Sequence, residues 1–365
     1  MVNVVVLFGG QSSEHAVSCV TATNVVENLK AEGFNVYPVG ITKDGYWTYV
    51  PTEDVNFQFS SDSGTLPEIK KGQWHVNLPE DTLSTTWTLS DGKQSKTLAD
   101  IDVVFPLLHG PYGEDGTVQG MLELLHIRYV GSGVLASAAA MEKHTTKVLA
   151  QAAGIEVAPW VFISERSWRL HKAEILQECK KLPLPLFVKP SRAGSSVGVT
   201  KIKSYDELEA AIEEARKHDP KVLVEQAIVG QEIECSVLDG YPAPKASYPA
   251  EIKMSTGVEF YDYDAKYINS EDSHVECPAQ ISEEATEQIQ QLALRAFDVL
   301  DLEGLARVDF FYTADGTFVL NEINTLPGFT GISGYPLMWK VSGIPYGKLL
   351  ATLVELAMDR PVGLR

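Results

Sequence analysis

The chain has 365 residues, 44% hydrophobic and 22% charged, with a formal net charge of -19. That length holds two or three ordinary globular domains. The acidic balance excludes nucleic acid or an anionic membrane surface as the main partner, because both need a basic footprint. It leaves open a phosphate ligand held by a few local Lys and Arg. No apolar run approaches the roughly 20 residues of a membrane span. The start, MVNVVVLFGG, lacks a basic leader and reads as a first strand. Cys19, Cys179, Cys235 and Cys277 are scattered without a CxxC pair. A zinc site or disulfide framework is not expected, and a reducing cytoplasm fits.

Residues 2–8 form an apolar run broken only by Asn3, which predicts a strand buried on both faces. Gly9 and Gly10 follow, then a helical pattern over 17–29 and a second strand over 34–41. This is a βαβ unit whose glycine turn offers backbone N–H groups to an anion. GxGxxG is absent, so a dinucleotide fingerprint is rejected. The plain alternative is Ser12 or Ser13 as N-cap with Glu14 as a first-turn acid, and His15 is expected at the surface. Residues 44–97 read as an insertion of short antiparallel strands without evident chemistry.

A buried strand over 101–108 ends in the polar, glycine-rich loop HGPYGEDG, which makes His109 and Glu114 candidates for ligand contact. A stabilised turn is the plainer reading. A helix over 118–126 and a strand over 128–130 follow, and Gly131-Ser132-Gly133 marks a boundary. Helices are predicted over 135–141, 143–153, 168–180, 205–217, 283–300 and 345–358. Strands are predicted over 160–163, 186–190, 221–226 and 246–253. Lys189 ends one of these strands, and the small-residue loop Gly194-Ser195-Ser196-Val197-Gly198 comes next, suited to phosphate or else a plain hairpin tip. Residues 255–273 are long, polar and rich in Tyr, the composition of a lid.

Residues 306–312 and 317–324 read as a β-hairpin around Asp315-Gly316. A two-residue loop pairs Ala314 with Thr317, and so sets Asp309 opposite Glu322 and Arg307 opposite Asn324. A four-residue loop keeps all four on one face. Facing carboxylates repel. A divalent cation with oxygen ligands would offset that repulsion, and the Arg points to a nearby anion. An exposed polar face is the alternative.

Taken in order, the segments GGQSSEHAVS, HGPYGEDGTVQG, MEKHTTK, FVKPSRAGSSVGV, VEQ, YDYDAKY, ARVDFF and NEINTLPGFT closely resemble the D-alanine–D-alanine ligases. The resemblance covers nearly the whole chain and is weakest over 44–97. It implies an α/β (α+β) ATP-grasp fold. An N-terminal open parallel α/β domain would span 1–131, a small central α+β domain 132–228, and a C-terminal antiparallel sheet domain 229–365 with its lid at about 255–273. It also implies a reaction. ATP activates one D-alanine as an acyl phosphate, and the amine of a second attacks it.

Residue roles follow from the resemblance. Glu14, Ser195 and the lid residue Tyr267 close the site, and Glu14 holds the first ammonium. His109 neighbours the first carboxylate, while Lys266 and Ser333 meet the second. Lys143, Lys189 and Ser196 attend the ATP phosphates. Glu225, Gln226, Ala227 and Ile228 form the adenine hinge, Glu232 takes the ribose, and Phe260 and Phe311 sandwich the base. Asp309, Glu322 and Asn324 hold two Mg2+ or Mn2+. Arg307 and the Gly328 amide stabilise the transferred phosphoryl group and then the oxyanion. A homodimer is the expected assembly.

Tyr267 favours an amine as nucleophile. Ala16, Glu142 and Gly334 depart from the family pattern, and Gly334 leaves the choice between D-alanine and D-serine open. The alternatives are a D-alanine–D-serine or D-lactate ligase and an ATP-binding protein without catalysis.

Overall fold

The structure is a computed structural model that describes residues 1–59, 66–254, 273–331 and 333–363. The expected lid residues Phe260, Lys266 and Tyr267 lie outside them.

Three sheets organise the chain. The first begins with β1 (Asn3–Gly9), which pairs in parallel with β2 (Asn35–Ile41) and β7 (Val103–Pro106). β8 (Arg128–Tyr129) extends it in parallel. The run at the start of the chain is buried on both faces, as expected. Val4, Val6 and Phe8 enter one core with helix α1 (His15–Ala31), and Val5 and Leu7 enter another with Trp87 and Tyr129. Full burial of each such side chain contributes about 1.5–3 kcal/mol. The insertion extends this sheet on the other side through β3 (Trp47–Tyr49), β4 (His75–Asn77), β5 (Thr86–Ser90) and β6 (Ser95–Asp100), all antiparallel.

The second sheet contains β9 (Trp160–Ile163), β10 (Leu186–Pro190), β11 (Thr200–Ile202) and β12 (Val222–Gln226), in the order β11-β10-β12-β9. Helices α5 (Glu165–Cys179) and α6 (Leu208–Ala215) cover it. Helix α5 starts earlier than its apolar pattern indicates. Ser164 and Ser167 form a reciprocal capping box that extends it by a turn. Helices α2 (Thr117–Leu124), α3 (Val134–Met141) and α4 (Lys143–Ala152) precede this sheet.

The third sheet carries β13 (Gln231–Leu238), β14 (Lys245–Ala246), β15 (Ala250–Met254), β16 (Ser273–Glu276), β17 (Leu305–Tyr312) and β18 (Phe318–Asn324). Its central strands are two-faced. Ile233, Cys235, Val237, Ala306, Val308 and Phe310 pack in the core with α7 (Glu283–Val299). Strand alternation therefore turns Glu232, Glu234, Arg307, Asp309 and Phe311 to the opposite face. The single strand expected over 246–253 is two strands here, β14 and β15. Helices α8 (Gly334–Val341) and α9 (Tyr346–Asp359) close the chain, and α9 packs on α1. No helix among the described residues is long and apolar enough to cross a membrane.

The hairpin reaches its expected pairing by an unexpected route. Thr313 N–H donates to Thr317 O and Gly316 N–H to Thr313 O, which closes a three-residue loop. Thr313 Oγ1 also donates to Thr317 O at 2.9 Å. Continued unchanged, that register would set Asp309 opposite Asn321 and turn Glu322 to the core face. A β-bulge beside Asp309 and Phe310 absorbs Asn321. Beyond it Asp309 faces Glu322 and Arg307 faces Asn324.

Candidate active site

The β1–α1 turn sets Glu14 just ahead of the helix, buried at 7% exposure. Beside it, His15 is buried rather than at the surface. Its Nδ1–H donates to Gly10 O at 2.7 Å, and its Nε2 accepts the Ile69 N–H at 3.0 Å. Those roles require the neutral ring, and burial lowers its pKa accordingly. His15 thus pins the glycine turn to the insertion, a role that an exposed position would not allow.

The loop after β10 comes to Glu14 from the opposite side. The Ser195 hydroxyl donates to Glu14 Oε1 at 2.5 Å. Ser195 and Ser196 both adopt left-handed backbone, with φ of 49° and 60°, a conformation uncommon for residues other than glycine. A Cβ on Gly194 would lie 2.8 Å from Glu14 Oε2, so a larger residue there would displace the Glu14 carboxylate.

The loop after β7 grips the segment after β18. His109 Nδ1–H donates to Leu326 O at 3.0 Å. The Leu326 N–H donates to Glu114 Oε1 at 3.0 Å, and the Gly110 N–H to Glu114 Oε2 at 2.8 Å. Both polar groups of the Leu326 residue are held in this way, next to Thr325 and close to Gly328. Burial, with the nearby Glu14 charge, pushes the Glu114 carboxyl up to about 8. Burial lowers the His109 ring, against the pull of Glu14. A Cβ on Gly328 would lie 2.9 Å from Ser333 Oγ, which itself accepts the Thr330 N–H at 3.0 Å.

Two charge clusters flank this arrangement. On the second sheet, Glu225 lies between Lys189, in direct contact, and Lys147 at 3.1 Å. Burial raises the Glu225 pKa, but the two lysines outweigh it and hold the carboxyl below its ordinary value. Lys147 is lowered by burial, and Glu225 only partly offsets this. On the third sheet, Arg307 grips Asp309 through Nε and Nη2, both at 2.8 Å. Asn324 Nδ2 donates to Asp309 Oδ2 at 2.9 Å, and Lys143 Nζ lies 3.6 Å from Glu322. Lys143 also donates to Ala193 O at 2.8 Å. Here the repulsion between the facing carboxylates is offset by cations of the chain. The donor set of Asp309, Glu322 and Asn324 still suits a hard divalent cation.

Two family descriptions match almost end to end: the D-ala D-ala ligase N-terminus over residues 3–132 and the D-ala D-ala ligase C-terminus over residues 149–355. The chain belongs to the D-alanine–D-alanine ligase family. A D-alanine–D-alanine ligase from Pseudarthrobacter chlorophenolicus is 48% identical over 99% of this chain and 95% of that one. Another from Streptomyces coelicolor is 46% identical, with 99% and 94% covered. Among solved structures, the D-Ala:D-Ser ligase VanG from Enterococcus faecalis is similar, with a TM-score of 0.83 and 38% identity. That likeness covers 98% of this chain and 99% of VanG. The D-alanine–D-alanine ligase from Coxiella burnetii gives 0.79 and 36%, with 98% and 94% covered. The mixed α/β architecture is thus the ATP-grasp fold of this ligase family.

Most of the expected site residues of this ligase come together in contacting groups. Glu14 meets Ser195, Lys189 meets Glu225, Lys143 meets Glu322, and Arg307 meets Asp309 and, through it, Asn324. Glu232 lies opposite Phe311 on the same face of the third sheet. In the segment expected as hinge, the Gln226 N–H donates to Pro159 O and the Ala227 N–H to Pro185 O, each at 3.0 Å, with Ile228 half-buried after them. Residue reasoning missed Lys147 and Glu234, while Glu114 stood as a candidate for ligand contact without a role. Lys147 carries no local signal, since a Lys four residues after Lys143 reads as a solvated helix face. Glu234 was legible, because the alternation of Ile233, Cys235 and Val237 already placed it beside Glu232.

Proposed function

We propose that the protein ligates two D-alanine molecules to D-alanyl-D-alanine in the cytoplasm, with ATP converted to ADP and phosphate, as a step in peptidoglycan synthesis. The observation that supports this is a single cleft in which carboxylates face a lysine beside the small-residue loop. Glu114, Lys143, Gly194, Glu322 and Asn324 line it together. We assign the N-terminal lobe to 1–131, the central lobe to 132–228 and the catalytic lobe to 229–365.

Each residue has a task set by its chemistry. Glu14, held by Ser195, receives the first ammonium, and His109 stands by the carboxylate. Lys143 and Lys189 bind phosphates, and the Ser195–Ser196 loop covers them. The hinge from Glu225 to Ile228 takes the adenine, with Glu232 on the ribose and Phe260 and Phe311 on its faces. Asp309, Glu322 and Asn324 would hold two Mg2+, which neutralise phosphate charge during transfer. Arg307 neutralises the moving phosphoryl group, then joins the Gly328 N–H at the tetrahedral oxyanion. Lys266 and Ser333 meet the second carboxylate. Tyr267 belongs to the lid, whose closure keeps water from the acyl phosphate. The active protein is a homodimer.

The test is phosphate release from ATP and Mg2+ with D-alanine alone, with the dipeptide identified by mass. Release with dipeptide is the expected result. Release only after adding D-serine or D-lactate would reassign the product. ATP binding without release would overturn catalysis.

A further inference from the structure

Gly334 opens α8 against the third sheet, where a side chain has no room. A Cβ built on Gly334 would lie 2.6 Å from Glu234 Oε2, closer than real Cβ contacts allow. The other oxygen, Oε1, sits 3.2 Å from Arg307 Nε, and the Glu234 side chain is 4% exposed. Glu234 lies directly opposite Asp309 in the β13–β17 ladder. Arg307 Nε therefore faces two carboxylates: its N–H donates to Asp309 Oδ1 at 2.8 Å, and Glu234 Oε1 lies 3.2 Å away on β13.

The two anchors differ under the proposed function, on which this inference rests. Asp309 shares its oxygens with the divalent cations when they are bound, which weakens its grip on the guanidinium. Glu234 reaches Arg307 from β13, on the side away from Glu322, and needs no such sharing. We propose that Glu234 is the positioning residue that anchors Arg307 Nε, leaving the guanidinium fork to the phosphoryl group. Gly334 is what makes room for it. The two residues form one unit, and the small residue at 334 reflects a space already filled by a carboxylate.

A double-mutant cycle tests this, with Gly334→Ala, Glu234→Ala and the pair, read by kcat, both KM values and thermal midpoint. Ala is the better helix former, and Gly334 does not have a left-handed φ. A lower midpoint in Gly334→Ala therefore reports the clash. Its kcat is expected to fall by up to about 10²-fold, the loss that a misplacement of roughly 1 Å can cause, with the KM for ATP nearly unchanged. Glu234→Ala lowers kcat in the same way. The double variant matches Glu234→Ala alone, because the clash has lost its target. A wild-type kcat in Gly334→Ala, or losses that multiply in the pair, would overturn the proposal. If Gly334→Ala does not fold, Glu234→Gln decides. Its shape is conserved, so an unchanged kcat overturns the anchor. A wild type without ligase activity would instead overturn the proposed function, while the midpoints would still report the contact between Glu234 and Gly334.

Discussion

The two charge clusters are near mirror images. In one, the carboxylate of Glu225 sits between the ammonium groups of Lys147 and Lys189. In the other, the guanidinium of Arg307 sits between the carboxylates of Asp309 and Glu234. The first carries excess positive charge and suits phosphate. The second carries excess negative charge and suits a metal ion. The difference teaches how an acidic protein binds a polyanion: the local arrangement, not the net charge of -19, sets the field in the cleft. The lysine cluster is the drier at its centre. The Glu225 side chain is 6% exposed, against 18% for Arg307.

Removing the central charge from each cluster should break the symmetry between them. Glu225→Gln leaves two buried ammonium groups facing each other. The expected cost is about 3–5 kcal/mol of stability, the usual penalty for an uncompensated buried charge, read by chemical denaturation. A loss below that seen on breaking the Arg307 cluster would show that burial does not rank the two. Arg307→Met leaves Asp309 and Glu234 opposed. Its main effect is expected on catalysis, a fall in kcat of about 10²–10³-fold with ATP still bound, measured by phosphate release and nucleotide titration.

The smallest effect concerns Glu114, which belongs to neither cluster. Its folded pKa of about 8 lies above the ordinary 4.5. The folded state therefore holds a proton that the unfolded state has released. Stability from this group is full below about 4.5 and is lost as pH rises towards about 8. Glu114→Gln should flatten that decline. Denaturation midpoints across this pH range check it, and parallel profiles for wild type and variant would contradict the shift.

Much of the site was legible before the fold. The facing of Asp309 with Glu322 was expected and is present, although the bulge rather than the turn delivers it, and the glycine turn ahead of Glu14 follows from a buried strand feeding a helix. The loop length was not legible. Asp315-Gly316 signals a two-residue turn, but the Thr313 hydroxyl bonds across the loop and makes it three. Burial of His15 was also hidden, because its partner Ile69 comes from the insertion, 54 positions away. That insertion has no chemistry of its own in sequence. In space, Gly45 and Trp47 share a cavity of about 160 Å³ with Gly10 and His109.

The sequence by itself determined which side chains are available and, through period-two alternation, which of them share a strand face. It also carried the ordered motifs of the family, because these depend only on local loops and strand ends. The tertiary structure alone decided the partners. Lys147 meets Glu225 only when the fold brings the two side chains together across the chain, and Arg307 meets Glu234 only when β13 lies beside β17. The bulge at Asn321 belongs with these, since it reconciles a turn of one register with a core of another. Charge pairing and register depend on distances between segments far apart in the chain, and no local spacing encodes those distances.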